Sequence, residues 1–405
     1  MSPPLPASFN RLAWSNLGAQ SAEQIGLAAA PMVAVLALGV GAGETGLLQT
    51  AATLPFLLFA IPAGLLADRM PRRRLMAWAE SLRVASLVAV PVLAAFGLLT
   101  WPLLALLGFI GACGTVAYSV AAPALVPDLV PPAALGRANG RIELARTVAY
   151  LGGPALAGAL VGWAGATPAF AFAAALSAWA VFLLARVDEP ARPPAPARHP
   201  WREVTEGAAF VLGHTLLMPI FVTQVIFNTA YFVLLAVYVP YAVNHLGLSA
   251  TAVGATLGVY GAGMVVGALL ARRITEAVPF GVLIAIGPVF GVASSVAMAA
   301  TIWFPSGWLA GLSFFLIGVG PILWTISTTT LRQTVTPPGL LGRVSAINIL
   351  AYGARPAGAG IGALVGGIWG AEACLLVALA GFCLQAAVIL VSPVVHLTRQ
   401  PEMVG

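Results

Sequence analysis

Pro131-Pro132-Ala133-Ala134-Leu135-Gly136-Arg137 returns 206 positions later as Pro337-Pro338-Gly339-Leu340-Leu341-Gly342-Arg343. The echo continues on both sides. Leu144, Ala145 and Gly152 recur at the same offset as Leu350, Ala351 and Gly358, and Leu65-Leu66-Ala67-Asp68-Arg69 is answered by Leu269-Leu270-Ala271-Arg272-Arg273. An offset of half the 405-residue chain implies two copies of one unit. Parallel repeats of this kind place a binding site at the interface between the halves, near mid-membrane.

The surroundings of the repeat say what the unit is. Hydrophobic residues make up 60% of the chain and charged residues only 8%, against about a quarter charged in an ordinary soluble domain. A water-soluble protein cannot hide so much apolar surface, whereas lipid removes the conflict. A membrane span takes ~20 mostly apolar residues, so twelve spans need roughly 240. Apolar runs separated by breakers fall at 10–37, 45–67, 75–99, 101–125, 137–162, 168–186, 212–242, 250–271, 279–302, 307–330, 344–368 and 371–395. The expected fold is therefore an all-α membrane protein, with twelve transmembrane helices in two pseudo-symmetric six-helix bundles. The polar, Pro-rich stretch around Ala191-Arg192-Pro193-Pro194 divides it into an N-terminal bundle (1–186), a cytoplasmic linker (187–206) and a C-terminal bundle (207–405).

All nineteen basic residues are arginine. With the N-terminus in the cytoplasm, Arg69, Arg72, Arg73, Arg74, Arg137, Arg186, Arg272, Arg273, Arg332, Arg343 and Arg399 fall in inside loops or at inside helix ends, and the outside loops carry none. Short arginine-rich loops stay cytoplasmic, which places both termini inside and suits a bacterial cytoplasmic membrane. The same placement accounts for the +6 net charge without a nucleic-acid partner. A phosphate-binding Walker loop requires a lysine, so an ion gradient or a separate subunit must drive any pumping. Cys113, Cys374 and Cys383 lie in apolar segments and form no disulfide framework. His199, His214, His245 and His396 are scattered, and no G-x-S-x-G elbow or H-x-x-x-H pair is present; neither an enzymatic centre nor a metal or cofactor is expected. Arg11 alone precedes the first apolar run and Glu23 interrupts it, unlike a signal peptide.

Polar side chains on the expected helices single out a cavity. Asn16, Gln20, Glu23 and Gln24 recur at helical spacing on the first span, and Gln224, Asn228 and Tyr231 on the seventh. Such stripes face protein or water rather than lipid. Glu23 lies ~18 Å from the cytoplasmic edge at about 1.5 Å per residue, near mid-membrane. A charge there costs ~2.5–3.5 kcal/mol even on the mildest scale and usually serves function. Glu23 is a candidate proton carrier or a contact for a cationic compound; a protonated structural glutamate is the plainer alternative. Glu80 with Arg83, and Glu143 with Arg146, are three apart and can pair along a helix face. Arg355 has no acid nearby on its own helix. It must find a partner across the bundle or face the cavity, where it would favour an anionic substrate.

Gly64-Leu65-Leu66-Ala67-Asp68-Arg69-Met70-Pro71-Arg72-Arg73-Arg74 resembles the signature between helices 2 and 3 of the major facilitator superfamily, with Pro71 where that family usually has glycine. The resemblance implies alternating access, and a conformational latch in which Asp68, supported by Gly64, Arg69 and Arg72, meets the start of helix 11. On the fifth helix, Gly140, Ala149, Gly153-Pro154 and Ala157-Gly158 resemble the antiporter motif of that superfamily, with two of its glycines replaced by alanine. The arginine of the family's helix 4 motif has no counterpart here. The texture is similar to the branch that exports drugs, macrolides and enterobactin. It implies proton-coupled efflux of an amphipathic small molecule by a protein that functions as a monomer, with protons and membrane lipid as its other partners. A lipid or lysophospholipid flippase of the same fold is the alternative. A non-transporting membrane sensor ranks last, because the longest stretch outside the membrane is only the linker.

Overall fold

The computed structural model describes residues 5–190, 200–337 and 340–401, with the side chains at 68, 133, 200–203, 342, 345, 346 and 349 excepted. The first half consists of α1 (Ala7–Leu38), α2 (Ala42–Arg69), α3 (Arg72–Ala95), α4 (Trp101–Leu129), α5 (Leu135–Ala164) and α6 (Ala166–Ala185). After the linker come α7 (Pro200–Gly213), α8 (Leu217–Asn244), α9 (Ala250–Ala277), α10 (Phe280–Ala300), α11 (Gly307–Val335), α12 (Leu341–Leu350), α13 (Ala354–Trp369) and α14 (Ala371–Val391). Among the described residues, eleven helices are long and apolar enough to cross a membrane. Lipid offers no partner to backbone N–H and C=O groups, so each crossing segment satisfies them internally as a helix.

Two segments depart from the sequence expectation. The stretch read as one span at 344–368 is divided into α12 and α13 by the 3-10 turn Ala351–Gly353. Pro356 has no N–H to donate and its ring crowds the carbonyl four residues back, while Gly353 adds a weak helix former just before it. The run read as 212–242 is broken at His214, because α7 ends at Gly213 and α8 starts at Leu217. Helix thus resumes inside the stretch expected as linker; the linker's 191–199 lie outside the described residues.

The repeat is visible in the packing. In the first half α1 packs on α5 and α6, α3 on α4 and α6, and α2 on α4. In the second, α8 packs on α13 and α14, α10 on α11 and α14, and α9 on α11. Each contact thus has its counterpart at the same place in the other half. The halves meet through two equivalent seams, α2 on α13 and α5 on α9, with α1 and α2 also touching α8.

The seams close at the arginine-free end. On α5 and α9, a side-chain carbon at Gly158 would overlap the Ala250 carbonyl and Gly254, so only hydrogens permit that backbone approach. On α2 and α13, Gly46 lies directly against the Ala363 backbone. Toward the arginine-rich end, Gly64 of α2 and Gly136 and Gly140 of α5 have nothing within 4 Å of where a side chain would sit.

Candidate functional site

A cavity of about 290 Å³ lies between the halves, walled mostly by apolar and aromatic side chains from α1, α2, α4 and α8. Its size is near the lower bound for small-molecule sites. The charges on its wall are Glu23 of α1, Arg83 of α3 and Arg355 of α13.

Arg83 organises the first-half side. Its Nη1 donates to both carboxylate oxygens of Glu80, at 2.9 and 3.0 Å, and to the Ala19 carbonyl at 3.0 Å. Its Nη2 donates to the Thr115 hydroxyl at 2.6 Å. Glu80, whose side chain is 0% exposed, also accepts from the Ser177 hydroxyl. The Arg83–Glu80 pair therefore ties α3 to α1 and α4 through the guanidinium and to α6 through the carboxylate. Glu23 Oε2 stands 3.9 Å from Arg83 Nη2, within ion-pair range but beyond a hydrogen bond, and its side chain is 17% exposed. Two carboxylates share one cation. Glu80 holds it through both oxygens on the single Nη1 nitrogen, and Glu23 carries the incompletely offset charge that faces the cavity.

Arg355 sits just past the 3-10 turn of the broken helix. Its Nε donates to Asn228 Oδ1 at 3.1 Å, and Asn228 is itself anchored through its amide nitrogen to the Gln224 carbonyl at 2.9 Å. The guanidinium lies over Tyr352 at 4.2 Å, with Phe232 and Phe56 at 5.4 and 5.5 Å. Arg355 thus has a hydrogen-bond partner on α8 and a place on the cavity wall.

The polar stripes reach the cavity only in part. Glu23, Gln24, Asn228, Tyr231 and Arg355 line it, whereas Asn16, Gln20 and Gln224 do not. Asn16 is buried in the α1–α5 contact, where it donates to the Ile142 carbonyl at 3.4 Å. Gln224 serves through its backbone carbonyl, one turn below Asn228. Tyr231 stacks on Phe227 and on Tyr260 of α9, at 5.7 and 6.3 Å between ring centres.

The remaining candidates are spread out. Gly153 packs against the Gln24 side chain, Pro154 offers its carbonyl to the Gly254 contact, and Gly158 makes the cross-half approach described above, while the space where a side chain would stand at Gly140 is open. Glu143 and Arg146 pair at 2.6 Å on a half-exposed face of α5, and Arg146 lies 5.8 Å from the Tyr150 ring centre. In the last turn of α2, the Asp68 side chain lies outside the described residues, and so does any contact it makes with the start of α12. Arg69 is exposed. Arg72 joins α3 to α4, pairing with Asp128 at 2.8 Å and donating to the Ala124 carbonyl. Glu189 caps α3: its two oxygens accept the Arg72 and Arg73 backbone N–H groups, each at 2.9 Å. A carboxylate there neutralises the positive end of the helix.

Sequence reasoning missed Thr115 and Ser177, which are ordinary small hydroxyls on apolar helices, as well as the aromatic faces around Arg355. Only Tyr352 carried a usable signal, three residues before Arg355 on the same chain segment.

Comparison with known proteins places this architecture. The Major Facilitator Superfamily profile matches residues 12–356. The chain belongs to that superfamily. An uncharacterised MFS-type transporter, y4rN, of Sinorhizobium fredii is 30% identical over 246 residues, which cover 60% of this chain and 59% of that relative. Among solved structures, a point mutant of the nucleoside transporter NupG superposes with a TM-score of 0.76 at 12% identity, covering 95% of this chain and 99% of its own. A D-xylose–proton symporter gives 0.73 at 13% identity, with coverage of 98% and 99%. A bacterial homologue of the iron transporter ferroportin, in its inward-facing state, gives 0.71 at 16% identity, with coverage of 96% and 99%. At these identities the likeness is one of fold. This superfamily member is an integral membrane protein whose two halves enclose a central cavity.

Proposed function

We propose that the protein exports an amphipathic small molecule in exchange for protons, by alternating access to the central cavity. The observation that carries this reading is Glu23: a carboxylate on the cavity wall, 3.9 Å from an arginine already engaged by Glu80. A proton or a cationic group arriving at Glu23 relieves the charge that Arg83 leaves incompletely offset. With the arginine-rich end in the cytoplasm, the seams closed at the opposite end make this the inward-facing form, ready to load from inside. Substrate then leaves through the outer side, and a proton taken up there by Glu23 accompanies the empty carrier back. Aromatic and apolar walls suit an amphipathic cargo. The setting is a bacterial cytoplasmic membrane with both termini inside, and the working unit is a monomer.

The test is proton movement in acid-loaded inverted vesicles, screening drugs, siderophores and labelled lipids with the wild type and Glu23→Gln side by side. A compound that drains the gradient through the wild type and not through Glu23→Gln supports antiport through this residue. Equal uphill transport by both proteins refutes the assignment. The flippase reading draws on the same apolar walls, and movement of labelled lipid without proton flux would favour it.

A further inference from the structure

Among the described residues, Arg355 is a cation held in place with no acid at ion-pair distance. Its Nε is committed to Asn228, and the rings of Tyr352, Phe232 and Phe56 surround the guanidinium plane. Among the described residues no carboxylate lies within ion-pair distance of it, whereas Arg83, in the same cavity, has two. The Nε contact is the single hydrogen bond that the Arg355 side chain makes among the described residues, and the Nη edge has no protein acceptor among them.

That arrangement is costly unless something completes it. An arginine near mid-membrane either pairs or faces a pathway, and a guanidinium fork matches a planar oxyanion through two parallel N–H donors. Asn228 fixes the rotation of the group, because its own amide is anchored to the Gln224 carbonyl. The aromatic faces fix its tilt. The fork is therefore set before anything binds. Its position at the break between α12 and α13 also puts it beside backbone whose regular helical bonding is interrupted by the 3-10 turn. Interrupted helices of this kind serve as ligand sites in transporters.

We infer that Arg355 is the carboxylate-binding residue of the cavity, and that the cargo is a flat, largely apolar molecule bearing a carboxylate. The acid lies on the Nη edge of Arg355, and the apolar body lies on the aromatic wall formed by Phe227, Tyr231 and Tyr260. The volume of about 290 Å³ limits that body to a small molecule. Glu23, on the opposite half, repels the carboxylate and so orients it toward Arg355. This assignment rests on the central cavity being the transport site. It is independent of how transport is energised.

Binding of matched probes to the purified full-length protein in lipid nanodiscs, with no proton gradient, tests the assignment. The pairs are naphthylacetate and naphthylacetamide, phenylbutyrate and phenylbutyramide, and dansyl-phenylalanine and its methyl ester. One charge-assisted fork corresponds to a preference for the acid of about tenfold or more, and that ratio is expected in at least one pair. Arg355→Gln should bring the ratio to parity while leaving the neutral partner's affinity in place. Arg355→Lys, which keeps the charge but loses the fork, should fall between the two, and it decides the matter if the glutamine variant does not fold. Equal binding of acid and neutral partner in every pair, no binding by any pair, or a wild-type ratio in either variant overturns the assignment. Because the ratio is read at equilibrium, failure of proton coupling leaves it intact, and its loss leaves the coupling experiment untouched.

Discussion

Removing Arg83 should unfold the first bundle more readily than removing Glu80, and removing both should cost less than removing Arg83 alone. The order follows from the geometry. Arg83→Met takes away two hydrogen bonds to Glu80, one to the Ala19 carbonyl and one to Thr115. It leaves the 0%-exposed Glu80 carboxylate with only the Ser177 hydroxyl. Stranding one member of a buried pair costs about 3–5 kcal/mol. Glu80→Gln, in contrast, leaves Arg83 its Ala19 and Thr115 acceptors and the Glu23 carboxylate at 3.9 Å, so its cost should be smaller, about 1–3 kcal/mol for one buried charged hydrogen-bonding partner. In the double variant no full charge is stranded at position 80, and replacing a whole buried pair is often near neutral. Reversible unfolding in mixed detergent micelles, run as a double-mutant cycle, measures the three values under one set of conditions. If Arg83→Met loses less than about 1 kcal/mol, or the double variant is as unstable as Arg83→Met alone, then Glu80 is not held as a buried carboxylate by Arg83. The account of Glu23 as the underserved partner would fall with it.

Three further outcomes are expected. Glu23→Gln should abolish substrate-evoked proton flux in inverted vesicles without reducing the amount of folded protein. Gly158→Val should prop open the α5–α9 seam, since even a single carbon there overlaps the Ala250 carbonyl. In a cysteine-free background, a cysteine at Leu48 on the cavity wall should then react faster with a membrane-impermeant maleimide from the arginine-free side, and unchanged labelling would show that the seam is not the gate. His214, between α7 and α8, accepts the Leu216 N–H at Nδ1, and burial lowers its pKa below the ordinary 6.5. The unfolded chain therefore binds that proton first as the pH falls. The histidine's contribution is fully present above about 6.5 and is lost on acidification through the window below it. Wild type minus His214→Gln should show this difference in melting temperature between neutral and mildly acid pH, and parallel profiles would contradict it.

The crossing segments were readable because their cause is local. A run of apolar residues in lipid must satisfy its own backbone groups, and helix is the form that does so within one segment. The repeat at an offset of 206 carried the symmetry as well, since equal sequences in equal environments pack alike, and the equivalent seams α2–α13 and α5–α9 follow from it. The division of the 344–368 run into α12 and α13 also had a local cause in Gly353 and Pro356. Nevertheless, prolines such as Pro154 and Pro321 sit inside unbroken helices, so the residue alone does not predict the break.

The site was legible only as an inventory. The helical spacing of Asn16, Gln20, Glu23 and Gln24 put them on a stripe, but a stripe is longer than the cavity it borders, and the contact with α5 takes Asn16 away. The spacing of Glu80 and Arg83 showed that they could pair. It could not show that Glu23 from α1, Thr115 from α4 and Ser177 from α6 converge on the same two side chains. Arg355 announced itself as a cation without a local acid, and its acceptor proved to be Asn228, 127 residues away. By itself the sequence determined what must be helix, where the membrane charges are and that the molecule has two like halves, because lipid solvation acts on each segment separately. Which charges share a partner and which are left facing the cavity was settled by tertiary packing, because a partner's energy depends on distances of a few ångströms between segments far apart along the chain.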